Sequence, residues 1–304
     1  MASSTLRMRP ILPVVVALTV LVAACGGSDG DAKSGAQPAK AEQALRVALI
    51  PNQEPDKVKA QYEPFGKYLE QKLGMTVELD VPTGYPAVVE AMANDRIDLA
   101  LFGGLTYVQA RQRAKVTPLV TDINPETGTT KYTSEIIVPA DSDARKLEDL
   151  KGKTFAFGSV SSTSGSLYPA LMLSKAGIDY REDLERTTYT NGHDATAAAV
   201  ASGNIDAGGL EGRILRRLEE KGTVDKSRIR SLATSDPIEG YPWVVRDSVD
   251  AELQERIKST FIELEDAKLL ALLNAKGFEA VSAKDYDEIE AAARQLDLIT
   301  TKSP

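Results

Sequence analysis

Gly84-Tyr85-Pro86-Ala87-Val88-Val89-Glu90-Ala91-Met92-Ala93-Asn94-Asp95-Arg96-Ile97-Asp98 returns without a gap as Gly192-His193-Asp194-Ala195-Thr196-Ala197-Ala198-Ala199-Val200-Ala201-Ser202-Gly203-Asn204-Ile205-Asp206. The shift is 108 residues and six of the fifteen positions are identical, the mark of a duplicated structural unit. The same shift lays 45–50 on 153–158 and 53–56 on 161–164. Each copy reads strand, helix, strand, helix, strand; in the first these fall at about 45–50, 56–73, 76–81, 86–94 and 97–101. Gly74 suits the stop of the first helix and Pro86 the opening turn of the second. Strands alternating with helices predict an α/β chain of parallel sheets with helices on both faces.

Two doubly wound lobes, one inserted in the other, predict a cleft, because ligands of such sheets lie beyond the carboxyl ends of the strands. The ends of the first copy are 51–54, 82–85 and 102–104; those of the second are 159–164, 190–193 and 210–211. The pseudo-symmetry pairs Tyr85 with His193, each opening a helix after a glycine. Two crossings between lobes are needed. They are read at 132–140 and 236–247, where Ile136-Ile137-Val138 and Trp243-Val244-Val245 are strand-like. The last sixty residues have helical periodicity and are expected to pack on the first lobe. The expected organisation is lobe 1 at 45–131 plus 245–304, and lobe 2, with the hinge strands, at 132–244.

The first 44 residues belong to neither lobe. Arg7 and Arg9, with no acid nearby, precede an apolar run from Ile11 to Val-Ala-Ala at 22–24, which reads as an export signal over 1–24. The run is short for a membrane span. Cys25 follows it and is the single cysteine, so no internal disulfide can form. Residues 25–44 are small and polar and read as a tether reaching roughly 25 Å. The formal charge of −8 becomes −10 once the two leader arginines are removed. That balance excludes nucleic acid and anionic membrane surfaces as partners. One histidine and one cysteine cannot assemble the usual zinc sites, and neither a metal nor a cofactor is expected.

Ser162-Thr163-Ser164-Gly165 stands between the strand-like Thr154-Phe155-Ala156-Phe157 and an apolar segment with Leu167, Leu171 and Leu173. Three hydroxyls and free backbone N–H groups thus sit at a helix mouth, a natural anion site that needs no lysine. An enzyme is the rival reading, since Ser164, His193 and Asp194 offer the residue types of a hydrolase. No Gly-x-Ser-x-Gly elbow supports it, and no catalytic residue is expected.

Further residues carry a family likeness: Pro51-Asn52-Gln53-Glu54, Thr83-Gly84-Tyr85, Ile97-Asp98-Leu99-Ala100 with Phe102-Gly103-Gly104, Lys131-Tyr132, the Ser-Thr-Ser-Gly run, Gly192-His193-Asp194, and Pro242-Trp243-Val244-Val245-Arg246. With these the chain resembles the substrate-binding lipoproteins of phosphate/phosphite/phosphonate ABC transporters. The resemblance implies a type II periplasmic-binding-protein fold, two lobes closing on a small oxyanion, and delivery to permease and ATPase subunits. It also implies that Cys25, after a lipobox-like Val-Ala-Ala, is acylated and holds a monomer to the outer face of the cell membrane. The family's pocket residues fall on Tyr85, Tyr132, Ser162, Thr163, Ser164 and His193, with Glu211 and Tyr241 beside them. Glu211 would favour anions that carry a proton, as phosphite and phosphate do and sulfate does not. Tyr241 stands where some aminoalkyl-phosphonate binders carry an acid, which weakens the case for an ammonium-bearing ligand. Another oxyanion such as selenate, or a sensor not coupled to transport, remains as the alternative.

Overall fold

The computed structural model describes residues 44–299. The expected signal, Cys25 and all but the last residue of the tether lie outside the described residues. The first copy builds β1 (Leu45–Leu49), α1 (Pro55–Leu73), β2 (Val77–Asp80), α2 (Tyr85–Ala93), β3 (Leu99–Leu101), α3 (Gly104–Arg111) and β4 (Val116–Asp122). Pro55 opens α1, where its missing N–H costs nothing, and Gly74 ends it with φ 67°, a left-handed turn that favours glycine. β5 (Lys131–Tyr132) and β6 (Ser134–Pro139) lead into the second copy. That copy is β7 (Thr154–Phe157), α4 (Tyr168–Lys175), β8 (Arg186–Tyr189), α5 (His193–Ala201), β9 (Ala207–Glu211), α6 (Gly212–Glu220) and β10 (Ile229–Thr234). The chain closes with β11 (Ile238–Glu239), β12 (Pro242–Arg246), α7 (Ala251–Ile262), α8 (Ala267–Leu273), β13 (Phe278–Ala280) and α9 (Asp287–Gln295).

The strands form a six-stranded sheet, β13-β4-β12-β3-β1-β2, and a five-stranded one, β10-β6-β9-β7-β8. The duplication extends to register. Val47 faces Leu79 and Leu99 in the first sheet; 108 residues on, Phe155 faces Thr187 and Ala207 in the second.

Purely parallel sheets are expected from the alternation of elements, and the structure departs from that in one systematic way. β12 runs antiparallel between β3 and β4, and β6 antiparallel between β9 and β10. Both strands enter from the other lobe at the carboxyl ends of the parallel strands: Ser134 starts opposite Glu211, and Trp243 starts opposite Leu101. A strand entering there can only run back along its neighbours. The crossing itself is therefore shorter than 132–140 and 236–247. It is a two-stranded ribbon, β5 with β11, pairing Tyr132 with Ile238, while Trp243-Val244-Val245 is a central strand of the first sheet.

The carboxyl-terminal stretch also contributes a strand, β13, which its helical periodicity conceals. Phe65 of α1 packs against Trp243 and Phe261 with ring centroids at 5.7 and 5.0 Å, and Phe261 meets Phe278 at 5.1 Å. Burying each such side chain contributes about 1.5–3 kcal/mol, which fastens α7 and β13 to the six-stranded sheet. The five-stranded sheet has a smaller aliphatic core that includes Ile137, Val200, Leu210 and Ile214.

Candidate functional site

Six stretches of chain, around 85, 132, 162–164, 193, 211 and 241, carry the expected site residues toward the carboxyl ends of the two sheets. Tyr85 and His193 are the first residues of α2 and α5, placed identically by the repeat, each after a glycine in extended conformation. Ser162 caps a single wide turn, Thr163–Leu167, whose hydrogen bonds are of the π type and which runs directly into α4. Such turns recur at functional sites because they push out backbone and side chains that an α-turn would hold in line. Glycine is needed within it. The Gly165 carbonyl accepts the Gly158 N–H at 2.8 Å, and a Cβ on Gly165 would lie 2.9 Å from Ser162 Oγ and 3.1 Å from Gly158 Cα. Tyr132 lies on the ribbon between lobes, and Tyr241 follows the other arm of it; their rings stand 5.2 Å apart.

All eight expected residues, Tyr85, Tyr132, Ser162, Thr163, Ser164, His193, Glu211 and Tyr241, are buried. Their polar atoms divide into two sets. Ser162 Oγ accepts the Gly165 N–H at 3.0 Å, as a helix cap does. Thr163 Oγ1 accepts the Leu105 N–H at 2.9 Å, and Thr106 Oγ1 donates to the Ser161 carbonyl at 2.9 Å, so this turn is also tied to the first lobe. In contrast, Ser164 Oγ, Tyr132 Oη and His193 Nε2 are buried without a well-formed hydrogen bond, although the Ser164 and Thr163 hydroxyls stand close enough to Tyr132 to oppose the rise of its pKa. Orphaned buried polar atoms cost about 1–3 kcal/mol each. Three of them on residues at the carboxyl ends of the strands make this the candidate binding site.

The protonation state of each follows from its surroundings. His193 Nδ1 accepts the Glu211 N–H at 3.3 Å, so the neutral ring carries its proton on Nε2, the unpartnered atom. Burial lowers its pKa from 6.5 to about 4, against the opposing pull of Glu211 and Asp194. At neutral pH His193 is therefore a single N–H donor. Burial, reinforced by the Glu211 charge, pushes the Tyr132 hydroxyl up, and burial also raises that of Tyr85, so both remain protonated donors.

Glu211 has a different occupation from the free acceptor that the sequence suggests. Its carboxylate caps α6, with Oε1 accepting the Arg213 N–H at 3.1 Å and Oε2 the Ile214 N–H at 3.0 Å. Oε1 also accepts Arg213 Nε at 3.0 Å. Burial alone would raise its pKa; Arg213, Arg217 and His193 hold it below the usual carboxylate value, so it is ionised. Arg213 continues to Asp122 on β4 at 2.5 Å and lies over the Tyr132 ring at 5.6 Å. No signal in the sequence links Arg213 to Asp122, 91 residues away.

The hydrolase arrangement is absent from this geometry. His193 Nδ1 accepts a backbone N–H where a triad histidine would donate to a carboxylate, and Asp194 instead accepts from Glu54 N and Ala195 N.

Residues 47–286 match the family model described as "ABC transporter, phosphonate, periplasmic substrate-binding protein". The chain is 32% identical over 278 residues to the phosphate-import protein PhnD of Mycolicibacterium smegmatis, covering 88% of this chain and 84% of that one. It is 29% identical over 273 residues to a probable phosphite-binding protein, PhnD1, of Prochlorococcus marinus, covering 84% of this chain and 90% of the other. The solved structure of that organism's PhnD1 with methylphosphonate superposes with a TM-score of 0.79 at 27% identity, covering 84% of this chain and 99% of that one. The two-lobed α/β architecture is thus the type II periplasmic-binding-protein fold, and the chain belongs to the family of periplasmic substrate-binding proteins of phosphonate ABC transporters.

Proposed function

We propose that the protein captures a compact phosphorus oxyanion, such as phosphite, phosphate or methylphosphonate, between its lobes and presents it to an ABC permease. The observation that carries this reading is that Ser164 Oγ, Tyr132 Oη and His193 Nε2 are buried and unpartnered, the first of them within a hydroxyl-rich helix start. Each donates without bearing a formal charge, so the site holds an anion inside an acidic protein by local geometry. The two hydroxyls can also accept, and so can take the proton of a hydrogen phosphate or phosphite. With the Glu211 carboxylate already spent on α6 and Arg213, these hydroxyls carry the discrimination against proton-free anions.

The lobes close over the ligand about the β5–β11 ribbon. Cys25 is the lipid attachment point, and acyl chains hold the monomer to the outer face of the cell membrane. Among the described residues no helix is long and apolar enough to cross a membrane.

Titration calorimetry with phosphite, phosphate, methylphosphonate, 2-aminoethylphosphonate, selenate and sulfate tests the ligand class. A phosphorus oxyanion is expected to bind best and sulfate worst. Selenate as the best ligand would overturn the phosphorus assignment, and no binding by any of them would overturn the anion site.

A further inference from the structure

We infer that Arg213 sets the size of the ligand by filling the side of the site from which a phosphonate substituent would leave; this rests on the oxyanion reading above. The oxygens of a phosphonate are served by the unpartnered hydroxyls and the His193 N–H, so its carbon substituent must point toward the flank without free donors. That flank is the Tyr241 ring, which packs on the Tyr132 ring, and Arg213, which lies over the Tyr132 ring and joins Glu211 and Asp122.

The guanidinium is fastened there at several points. Nε donates to Glu211 at 3.0 Å, Nη1 donates to Asp122 at 2.5 Å, and the group lies 5.6 Å from the centre of the Tyr132 ring. Arg213 is 6% exposed. The cavity that it lines with Asp122, Glu211 and Tyr241 is about 40 Å³, space for a few waters and not for an alkyl chain. A longer substituent would have to lift the guanidinium away from two largely buried carboxylates and strand all three charges, which is strongly unfavourable. An ammonium group on that substituent gains little, because Arg213 already neutralises the carboxylate it would seek.

Closure and selection are linked through this residue. Arg213 is on α6 of the second lobe and Asp122 on β4 of the first, so their ion pair forms only when the lobes meet. Arg216, on the same helix, holds Glu126 just beyond β4 with both carboxylate oxygens, at 3.1 and 2.7 Å. A ligand too large for Arg213 to reach Asp122 would leave the cleft unlatched on this side.

The test is calorimetry on the full chain with phosphate, methylphosphonate and propylphosphonate, using the parent and two variants. Arg213→Lys keeps the charge with a shorter, narrower head. Arg213→Ala with Asp122→Asn removes the guanidinium without leaving both acids unpaired, and thermal melts check that each variant is folded. The parent is expected to prefer methylphosphonate over propylphosphonate by at least tenfold, about what a pocket achieves against added methylenes. The double variant is expected to reduce that ratio roughly tenfold, with Arg213→Lys in between. A parent that binds the two phosphonates equally, or folded variants that keep the parental ratio, would overturn the role of Arg213 while leaving the oxyanion reading in place. A parent that binds none of the three anions would overturn the oxyanion reading and this inference with it.

Discussion

Asp98 and Asp206, equivalent in the repeat, hold equivalent backbone amides: Asp98 Oδ2 accepts the Arg46 N–H at 3.1 Å, and Asp206 Oδ2 accepts the Thr154 N–H at 2.9 Å. Arg46 and Thr154 are themselves 108 residues apart, so the repeated Ile-Asp pair pins the start of the first strand of each copy, β1 and β7. Asp98 also binds the guanidiniums of Arg46 and Arg246, at 2.6 and 2.7 Å. The repeated aspartates thus have a structural role at the end of each sheet opposite the candidate site.

Asp206→Ala is expected to destabilise the protein by about 1–3 kcal/mol, since the Thr154 N–H loses its acceptor. Asp98→Ala should cost more, because two arginines lose a partner with it. Both carboxylates have pKa values below the ordinary one: burial opposes this, and the bonds from Thr154 or from Arg46 and Arg246 override it. Their contribution is therefore present above the ordinary carboxylate pKa and is lost as pH falls through the lowered values. Urea unfolding midpoints at neutral and acid pH check both points, and midpoints that match the parent would refute them.

His193 is the only histidine, so one imidazole signal reports the site. In the ligand-free protein that signal is expected to titrate at about 4, against 6.5 for a free histidine. Between those values the unfolded chain takes up a proton that the folded ring refuses. Stability therefore climbs with pH across that window and is fully present above it. His193→Gln should flatten this part of the profile. A resonance titrating near 6.5 before ligand is added would contradict the buried, neutral donor.

Ser164 and Thr163 are adjacent, and their alanine variants should behave differently. Ser164 Oγ has no partner within the protein, so Ser164→Ala is expected to leave stability near that of the parent. It should weaken ligand binding by about 1–3 kcal/mol, the range for a hydrogen bond to a charged group. Thr163→Ala removes the acceptor of the Leu105 N–H between lobes and should lower both affinity and melting temperature. Parallel calorimetry and thermal melts distinguish the two, and a Ser164→Ala protein with parental affinity would place the anion elsewhere.

Cys25→Ser should release a folded protein from the membrane fraction, because it deletes the proposed acyl site and changes no residue of the lobes. The expected outcome is a soluble protein with parental ligand affinity. A variant that still sediments with membranes as the unprocessed precursor would mean that the apolar run itself is the anchor.

The position of Tyr85 and His193 at helix starts was legible in the primary structure because a glycine before a helix start, repeated at a fixed interval, is a local pattern. The hydroxyls of 162–164 were legible for the same reason, since capping and helix-mouth chemistry are written within a few consecutive residues. Glu211 was legible as a residue at a strand end and misleading as a free acceptor. Its oxygens are claimed by the two amides and the guanidinium that follow it, and a reading by residue type does not register that the carboxylate is already used.

Periodicity and the internal repeat are properties of neighbouring residues, and they carried the α/β class, the two lobes and the helix starts that face the cleft. Folding in three dimensions settled what depends on distant partners: the antiparallel return of β6 and β12, the strand hidden at Phe278–Ala280, and the reach of Arg213 to Asp122. It also settled which polar atoms are left over. Whether Ser164, Tyr132 and His193 are satisfied depends on every group packed around them, and those groups come from segments far apart in the chain.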